Sequence, residues 1–295
     1  MIVPAADVSF RALGTDVRLV ADADDAEERV ARARQEIEEY DARLSRFRST
    51  SELCALNADP REEVPASPLL REAVRAALWA AEVSGGLVDP CMLDALEAAG
   101  YAGDFRPDGI RAAPTGPTRP VEPDPEQRWR TIRLGPNGTI ARPPGLRLDL
   151  GGTGKGHIAD RVANLLSGAQ RWAVDCGGDV RIGGAPQEVL VAHPLRDEFV
   201  TSYTLTNGAI ATSSTITRSW ATANGGRAHH LLDPRTGRPV WTGLLAVTAR
   251  GTSTLEAETL AKTALFRGPA VARDVLADHG GILFHADGSA EEIGR

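Results

Sequence analysis

The sequence predicts an α+β fold in which mostly antiparallel sheets are packed by helices. Short apolar strands and amphipathic helices are interspersed along the 295 residues, but not in the strict strand-helix-strand alternation of a parallel sheet. The chain also opens on a hairpin pattern. Residues 8–19 alternate around Gly14, with Val8, Phe10 and Ala12 before it and Val17 and Leu19 after it, which predicts paired strands turning at Gly14-Thr15.

Over residues 24–44, Val30, Ala33, Ile37, Tyr40 and Leu44 recur every three or four positions, the apolar face of a helix whose N-terminus suits Asp24 and Asp25. A second helix over 67–83 turns Leu70, Val74, Ala77, Leu78 and Ala81 inward and stops before Ser84-Gly85-Gly86. Residues 103–130 then carry Pro107, Pro114, Pro117, Pro120, Pro123 and Pro125, too many for a long helix or a central strand. This stretch reads as an exposed loop within a single domain spanning 1–295, because the motifs on either side of it suit one site. The second half alternates strands at 146–150, 172–176, 189–193, 244–249 and 282–285 with helices near 156–166, 255–266 and 269–279.

Composition narrows the function classes. With 42% hydrophobic and 25% charged residues the chain has the makeup of a globular protein. A net charge of -7 argues against a broad nucleic-acid surface, which needs a positive face. The three cysteines, Cys54, Cys91 and Cys176, form no CxxC pair and read as reduced thiols. The first twenty residues lack a basic segment followed by an apolar run, and no apolar run of about 18 residues follows elsewhere. The expectation is a cytoplasmic protein without membrane insertion.

Four motifs carry chemistry. Asp149-Leu150-Gly151-Gly152-Thr153-Gly154-Lys155-Gly156-His157-Ile158-Ala159-Asp160 reads as a strand passing through a glycine-rich turn into a helix. Unpaired N–H groups, the positive helix end and Lys155 together suit a phosphate, although a tight strand-to-helix connection needs the same glycines. The order of residues fits neither GxxxxGK[ST] nor GxGxxG. Asp175-Cys176-Gly177-Gly178-Asp179 reads by itself as a hairpin turn. In the stretch from His229-His230 through Asp233-Pro234-Arg235-Thr236-Gly237, at most one histidine faces a site, because neighbours on an extended segment point to opposite sides. Glu258 and Lys262 stand four apart on a predicted helix, the spacing of an ordinary ion pair.

Taken together and in this order, with Leu13-Gly14-Thr15, Leu44-Ser45-Arg46-Phe47, Ser84 to Pro90 and Ala211-Thr212-Ser213-Ser214, these motifs resemble the ApbE family of FAD:protein FMN transferases. The resemblance implies an ApbE-like, T-fold-like architecture. It implies FAD as substrate, an acceptor protein with an FMN-binding domain, and attack of an acceptor threonine on the FMN phosphorus with AMP leaving. It assigns Asp89, Gly151, Gly152, Lys155, Asp160, Gly177, Gly178, Asp179, Thr212 and Ser213 to the FAD site, and His230 and Lys155 to the chemistry. Magnesium is implied at the backbone carbonyl of Gly154 and at Glu258, but Lys262 stands where relatives offer a threonine. An ammonium repels a cation at short range, so the expectation is an altered or weakened Mg2+ site in which Lys262 replaces part of the metal's charge. The same residues also suit a pyrophosphatase that splits FAD to FMN and AMP, or a non-catalytic FAD-binding protein.

Overall fold

The structure, a computed structural model, describes residues 5–103, 105–106, 109–110, 127–221 and 226–294. These residues gather into two compact units. The first comprises Met1–Asp41, Gly154–Ser214 and Thr242–Arg295, and the second Ala42–Thr153 and Thr215–Trp241. Most of the proline-dense stretch predicted as an exposed loop lies outside the described residues.

The first unit is built on one eight-stranded sheet. Its strands are β1 (Ala5–Ala12), β2 (Thr15–Asp22), β3 (Arg171–Cys176), β4 (Asp179–Gly184), β5 (Gly208–Ser214), β6 (Leu244–Gly251), β7 (Gly281–His285) and β8 (Ala290–Ile293). They lie side by side in that order, and every neighbouring pair is antiparallel. The α+β expectation therefore holds. The first turn sits one residue earlier than predicted: Thr15 already pairs with Ala12, and Leu13 and Gly14 form the bend with φ of 56° and 67°. Two positive φ values suit the twist of a two-residue hairpin, and the Leu13 N–H is held there by a 3.1 Å bond to Asp41 Oδ1.

Helices α1 (Ala26–Leu44), α2 (Glu52–Ala58), α3 (Pro68–Val83), α4 (Leu93–Ala98), α5 (Gly154–Leu166), α6 (Thr254–Arg267) and α7 (Pro269–Leu276) follow in chain order. The alternation of β5 shows how the sheet is covered. Ala209 and Ala211 pack against Ala257 of α6, small on small, which lets the helix come close. Ile210, on the opposite face, joins Val191, Tyr203, Ala246, Ile282 and Phe284 in a cluster under the hairpin formed by Gln187–Ala192 and Phe199–Leu205. Helix α1 is tied to α5, with Arg29 donating to the carbonyls of Leu165 (3.2 Å) and Ser167 (2.8 Å).

Strand β5 has no counterpart among the predicted strands, because Gly208 and the polar Thr212-Ser213-Ser214 dilute its apolar alternation. The predicted strand at 146–150 does not form. The Asn57 side-chain amide takes both the N–H and the carbonyl of Leu148 at 2.8 Å, and the Asp149 N–H goes to the Pro90 carbonyl, so no neighbouring strand is needed to satisfy this backbone.

In the second unit, α2 and α3 each start on a serine cap, Ser51 accepting from the Cys54 N–H and Ser67 from the Leu70 N–H. Leu70, Val74, Ala77 and Ala81 line the buried face of α3 as expected. Among the described residues no helix is long and apolar enough to cross a membrane.

The β3–β4 turn is tested by substitution. Gly177 has φ of 67°, and a Cβ there would stand 1.9 Å from Thr15 Oγ1, whereas Gly178 has φ of 90° but open space around it. Gly177→Ala is expected to lower stability by about 2 kcal/mol or more and Gly178→Ala by about 1 kcal/mol. Urea unfolding midpoints of the two variants check this ranking.

Candidate functional site

The first unit gathers most of the predicted residues where α5 meets α6. Gly156 makes the close approach possible, since a Cβ at that position would lie 2.8 Å from both Glu258 Oε2 and the Leu255 Cα. Its N–H, in the first turn of α5, donates to Glu258 Oε2 at 3.0 Å. Lys262 Nζ donates to the other oxygen, Glu258 Oε1, at 2.8 Å. The arrangement is reciprocal. Asp160 of α5 accepts the N–H groups of Thr254 (2.7 Å) and Leu255 (2.9 Å) at the start of α6. Each helix N-terminus therefore meets a carboxylate from the other helix, which satisfies orphan donors and complements both dipoles.

Lys155, one residue before Gly156, pairs with Asp179 Oδ2, and Asp179 Oδ1 is buried with no hydrogen-bond partner. The Gly177-Gly178 turn delivers Asp179 to this place, and the Gly178 N–H closes the turn onto Asp175 Oδ1 at 2.8 Å. Gly154 opens α5 with the Tyr40 hydroxyl 3.7 Å from where its Cβ would be, and that hydroxyl shares a 3.1 Å hydrogen bond with His157 Nδ1.

Burial sets the electrostatics. It pushes the Asp179 carboxyl above the ordinary range, against the pull of the Lys155 ammonium. Burial would raise Glu258 as well, but the charges of Lys262 and Lys155 outweigh it and hold that carboxyl below its usual value. Asp160 is raised by burial, with the two α6 N–H groups opposing. Tyr40 is pushed far up by burial and by the Glu258 charge.

Thr212 and Ser213 part company. Adjacent residues on β5 face opposite sides of the sheet. Ser213 shares the side of Ala209 and Ala211, which pack on α6, whereas Thr212 turns away and hydrogen-bonds Thr248 Oγ1 at 2.9 Å.

The second unit holds the rest of the set. Asp89 closes its own turn by accepting the Cys91 N–H at 2.7 Å. The neighbouring Val88 lies 3.6 Å from where a Gly152 Cβ would be, so this loop backs the glycine turn, and the Gly151 N–H donates to Asp149 Oδ1 at 2.7 Å. Asp149 also forms a buried ion pair with Arg46 at 2.6 Å. The Arg46 guanidinium donates to the Tyr101 carbonyl and lies over the rings of Phe47 and Tyr101. Tyr101 in turn stacks on Trp220, and the His230 ring meets it edge-on at 6.4 Å between centroids.

The two adjacent histidines differ as the extended-segment argument expects. His229 is fully buried, with Nε2 3.0 Å from the Val240 carbonyl and Nδ1 accepting the Leu231 N–H. His230 is half-buried. Arg235 and the N–H groups of Thr236 and Gly237 close the following turn onto Asp233.

Sequence reasoning missed the Arg46–Asp149 pair and the capping role of Asp160. Each residue sits in a motif that was recognised, but nothing in a sequence pattern links positions so far apart.

The residues at α6 do not fit a magnesium ion. A hard dication takes oxygen ligands, yet an ammonium already lies at hydrogen-bond distance from Glu258, whose other oxygen accepts a backbone N–H. Among the described residues no three His, Cys, Asp or Glu side chains converge on a common point.

Known proteins resemble this chain in sequence and in fold. The ApbE family model matches residues 13–284. A FAD:protein FMN transferase of Escherichia coli K12 is 30% identical over 145 residues, covering 46% of this chain and 41% of that protein. One of Vibrio cholerae is 27% identical over 249 residues, 79% of this chain and 71% of that protein. Several of these matches thus span about two fifths of the curated relative's length. The crystal structure of the ApbE protein from Thermotoga maritima superposes with a TM-score of 0.83 at 24% identity, covering 98% of this chain and 97% of that one, which establishes the fold.

Arg46 and Asp149 give a direct test of the second unit's framework. Asp149→Ala leaves a buried guanidinium without its anion and is expected to cost about 3–5 kcal/mol. Arg46→Met/Asp149→Leu, which removes both charges, is expected to recover a substantial part of that loss in urea denaturation.

Proposed function

The chain belongs to the ApbE family, and from that premise we propose that it transfers the FMN half of FAD to a threonine hydroxyl of an acceptor protein, releasing AMP. The observation that carries this reading is the α5 N-terminus. A glycine turn opens directly into a helix whose first residues hold Lys155, with Asp179, Glu258 and Lys262 packed around it. Such a place suits a diphosphate, because its charge is met by two ammonium groups held beside the positive end of a helix.

In the proposed step, the acceptor threonine oxygen attacks the phosphorus on the FMN side of the FAD pyrophosphate. A new P–O bond forms, the bridging P–O bond breaks with its electron pair going to AMP, and the threonine proton passes to His230. A neutral imidazole is suited to that proton near physiological pH. Lys155 stabilises the charge developing on the phosphate oxygens. Gly151, Gly152, Gly177 and Gly178 allow close backbone approach, and Asp89 and Ser213 shape the flavin site. Asp160 serves by fixing α6, and Thr212 by bracing β5 against β6. Every step is assigned to the chain's own groups, since the magnesium implied by the resemblance has no matching donor set at α6.

The family match runs through both units, which supports treating them as one functional domain. The acceptor we propose carries an FMN-binding domain. The reaction is assigned to the cytoplasm, the compartment favoured by the reading of Cys54, Cys91 and Cys176 as reduced thiols.

Incubating the protein with FAD and a candidate acceptor, followed by mass spectrometry, tests the reading. The expected result is one FMN added to the acceptor for each AMP formed. Free FMN with an unmodified acceptor indicates a pyrophosphatase, and retained FAD without AMP indicates a binding protein. Either result contradicts transfer. His230→Ala is expected to lower kcat by about 10²-fold or more with little change in FAD affinity.

A further inference from the structure

The α5–α6 contact holds four ionisable groups in an alternating arrangement. Lys155 is paired with Asp179, and Lys262 with Glu258. The charges of Lys155, Lys262 and Glu258 all act on Asp179, and those of Lys262 and Lys155 act on Glu258, so the two pairs form one cluster. Its net charge is zero when all four groups are ionised.

The cluster is not uniformly buried. The two carboxylates are 1% exposed, whereas the Lys155 side chain is 17% exposed and that of Lys262 is 9%. The carboxylates lie deepest, and the two lysines are the more exposed members of the cluster. Burying a Lys–Glu pair for stability alone gains little over apolar packing. A pair whose lysine is the more exposed member, with the carboxylate beneath it, has instead the form of a cation anchored in place by its hydrogen bond.

We propose that Lys262, anchored on Glu258, is a built-in cation that together with Lys155 binds the diphosphate of the flavin substrate, so that this chain holds FAD without a divalent metal. The inference rests on the reading of this site as the FAD pyrophosphate site. The two ammonium groups supply the two positive charges that a single dication would bring. Glu258 is a positioning residue: it locates Lys262 and, through the Gly156 N–H, registers α6 against α5. Asp160 completes this support by fixing the start of α6.

The test is FAD binding by the full chain, followed through quenching of flavin fluorescence, in EDTA and in excess magnesium. Riboflavin, which has no phosphate, serves as the control ligand. The expected Kd for FAD in EDTA lies within about threefold of that in magnesium, since charge-assisted contacts to the protein replace the metal. Lys262→Met is expected to weaken FAD binding in EDTA by about thirtyfold, while Lys262→Arg retains most of it and riboflavin affinity changes by less than about threefold. Because Lys262→Met leaves a buried carboxylate unpaired, Glu258→Gln/Lys262→Met is measured alongside it. This variant removes both charges, and a wild-type-like melting temperature shows it to be folded; it should show the same loss of FAD affinity. FAD binding that needs magnesium, or that survives in the folded double variant, overturns the proposal and leaves the flavin reading standing. Absence of FAD binding by the folded wild-type chain in both buffers overturns the two together.

Discussion

The first unit is organised around one costly object, the buried carboxylate of Glu258. A carboxylate removed from water must be paired and hydrogen-bonded or it protonates. Here one oxygen accepts the Gly156 N–H and the other the Lys262 ammonium. Meeting that demand requires glycine at position 156, because any side chain there would collide with the carboxylate and with the α6 backbone. It also fixes the rotation of α6, since Glu258 and Lys262 must share one face while Ala257 packs on Ala209 and Ala211. Asp160 performs the mirror-image task for α6. Helix register, sheet contact and the placement of two lysines therefore follow from one satisfied group.

The second unit uses the same logic with the signs exchanged. Its buried cation, Arg46, is paired with Asp149, bonded to the Tyr101 carbonyl and covered by two aromatic rings. Asp149 in turn holds the Gly151 N–H. The glycine turn thus leads back to a buried ion pair in this unit, and the chain enters α5 immediately afterwards, where the next buried charges await.

Much of the fold was legible in the sequence because its helices have clean apolar faces and its first hairpin a clear alternation. Position 14 marked the hairpin, although the bend falls at Leu13-Gly14, a shift that a strained leucine conceals. Strand β5 escaped because alanines and polar residues pack well under a close helix yet carry little hydrophobic signal. The segment at 146–150 looked like a strand, but its hydrogen bonds go to a side-chain amide and a loop carbonyl, partners that no local pattern reveals. The resemblance assigned Lys155, Asp179, Glu258 and Lys262 to one site, and the structure places Lys155 against Asp179 and Lys262 against Glu258 where α5 meets α6. The sequence did not reveal that Asp160 caps a helix, which depends on three-dimensional pairing, or that Thr212 and Ser213 face opposite sides of the sheet, because the strand that carries them gave too weak a pattern to predict.

The central claim is that a protein cation stands at Glu258 and meets the flavin diphosphate there. The most direct measurement is a crystal structure of the FAD complex grown with manganese, using its anomalous scattering to locate the metal. The account predicts diphosphate oxygens at hydrogen-bond distance from the ammonium groups of Lys155 and Lys262, with no manganese on Glu258. A manganese ion ligated by Glu258, with Lys262 turned away, would contradict it.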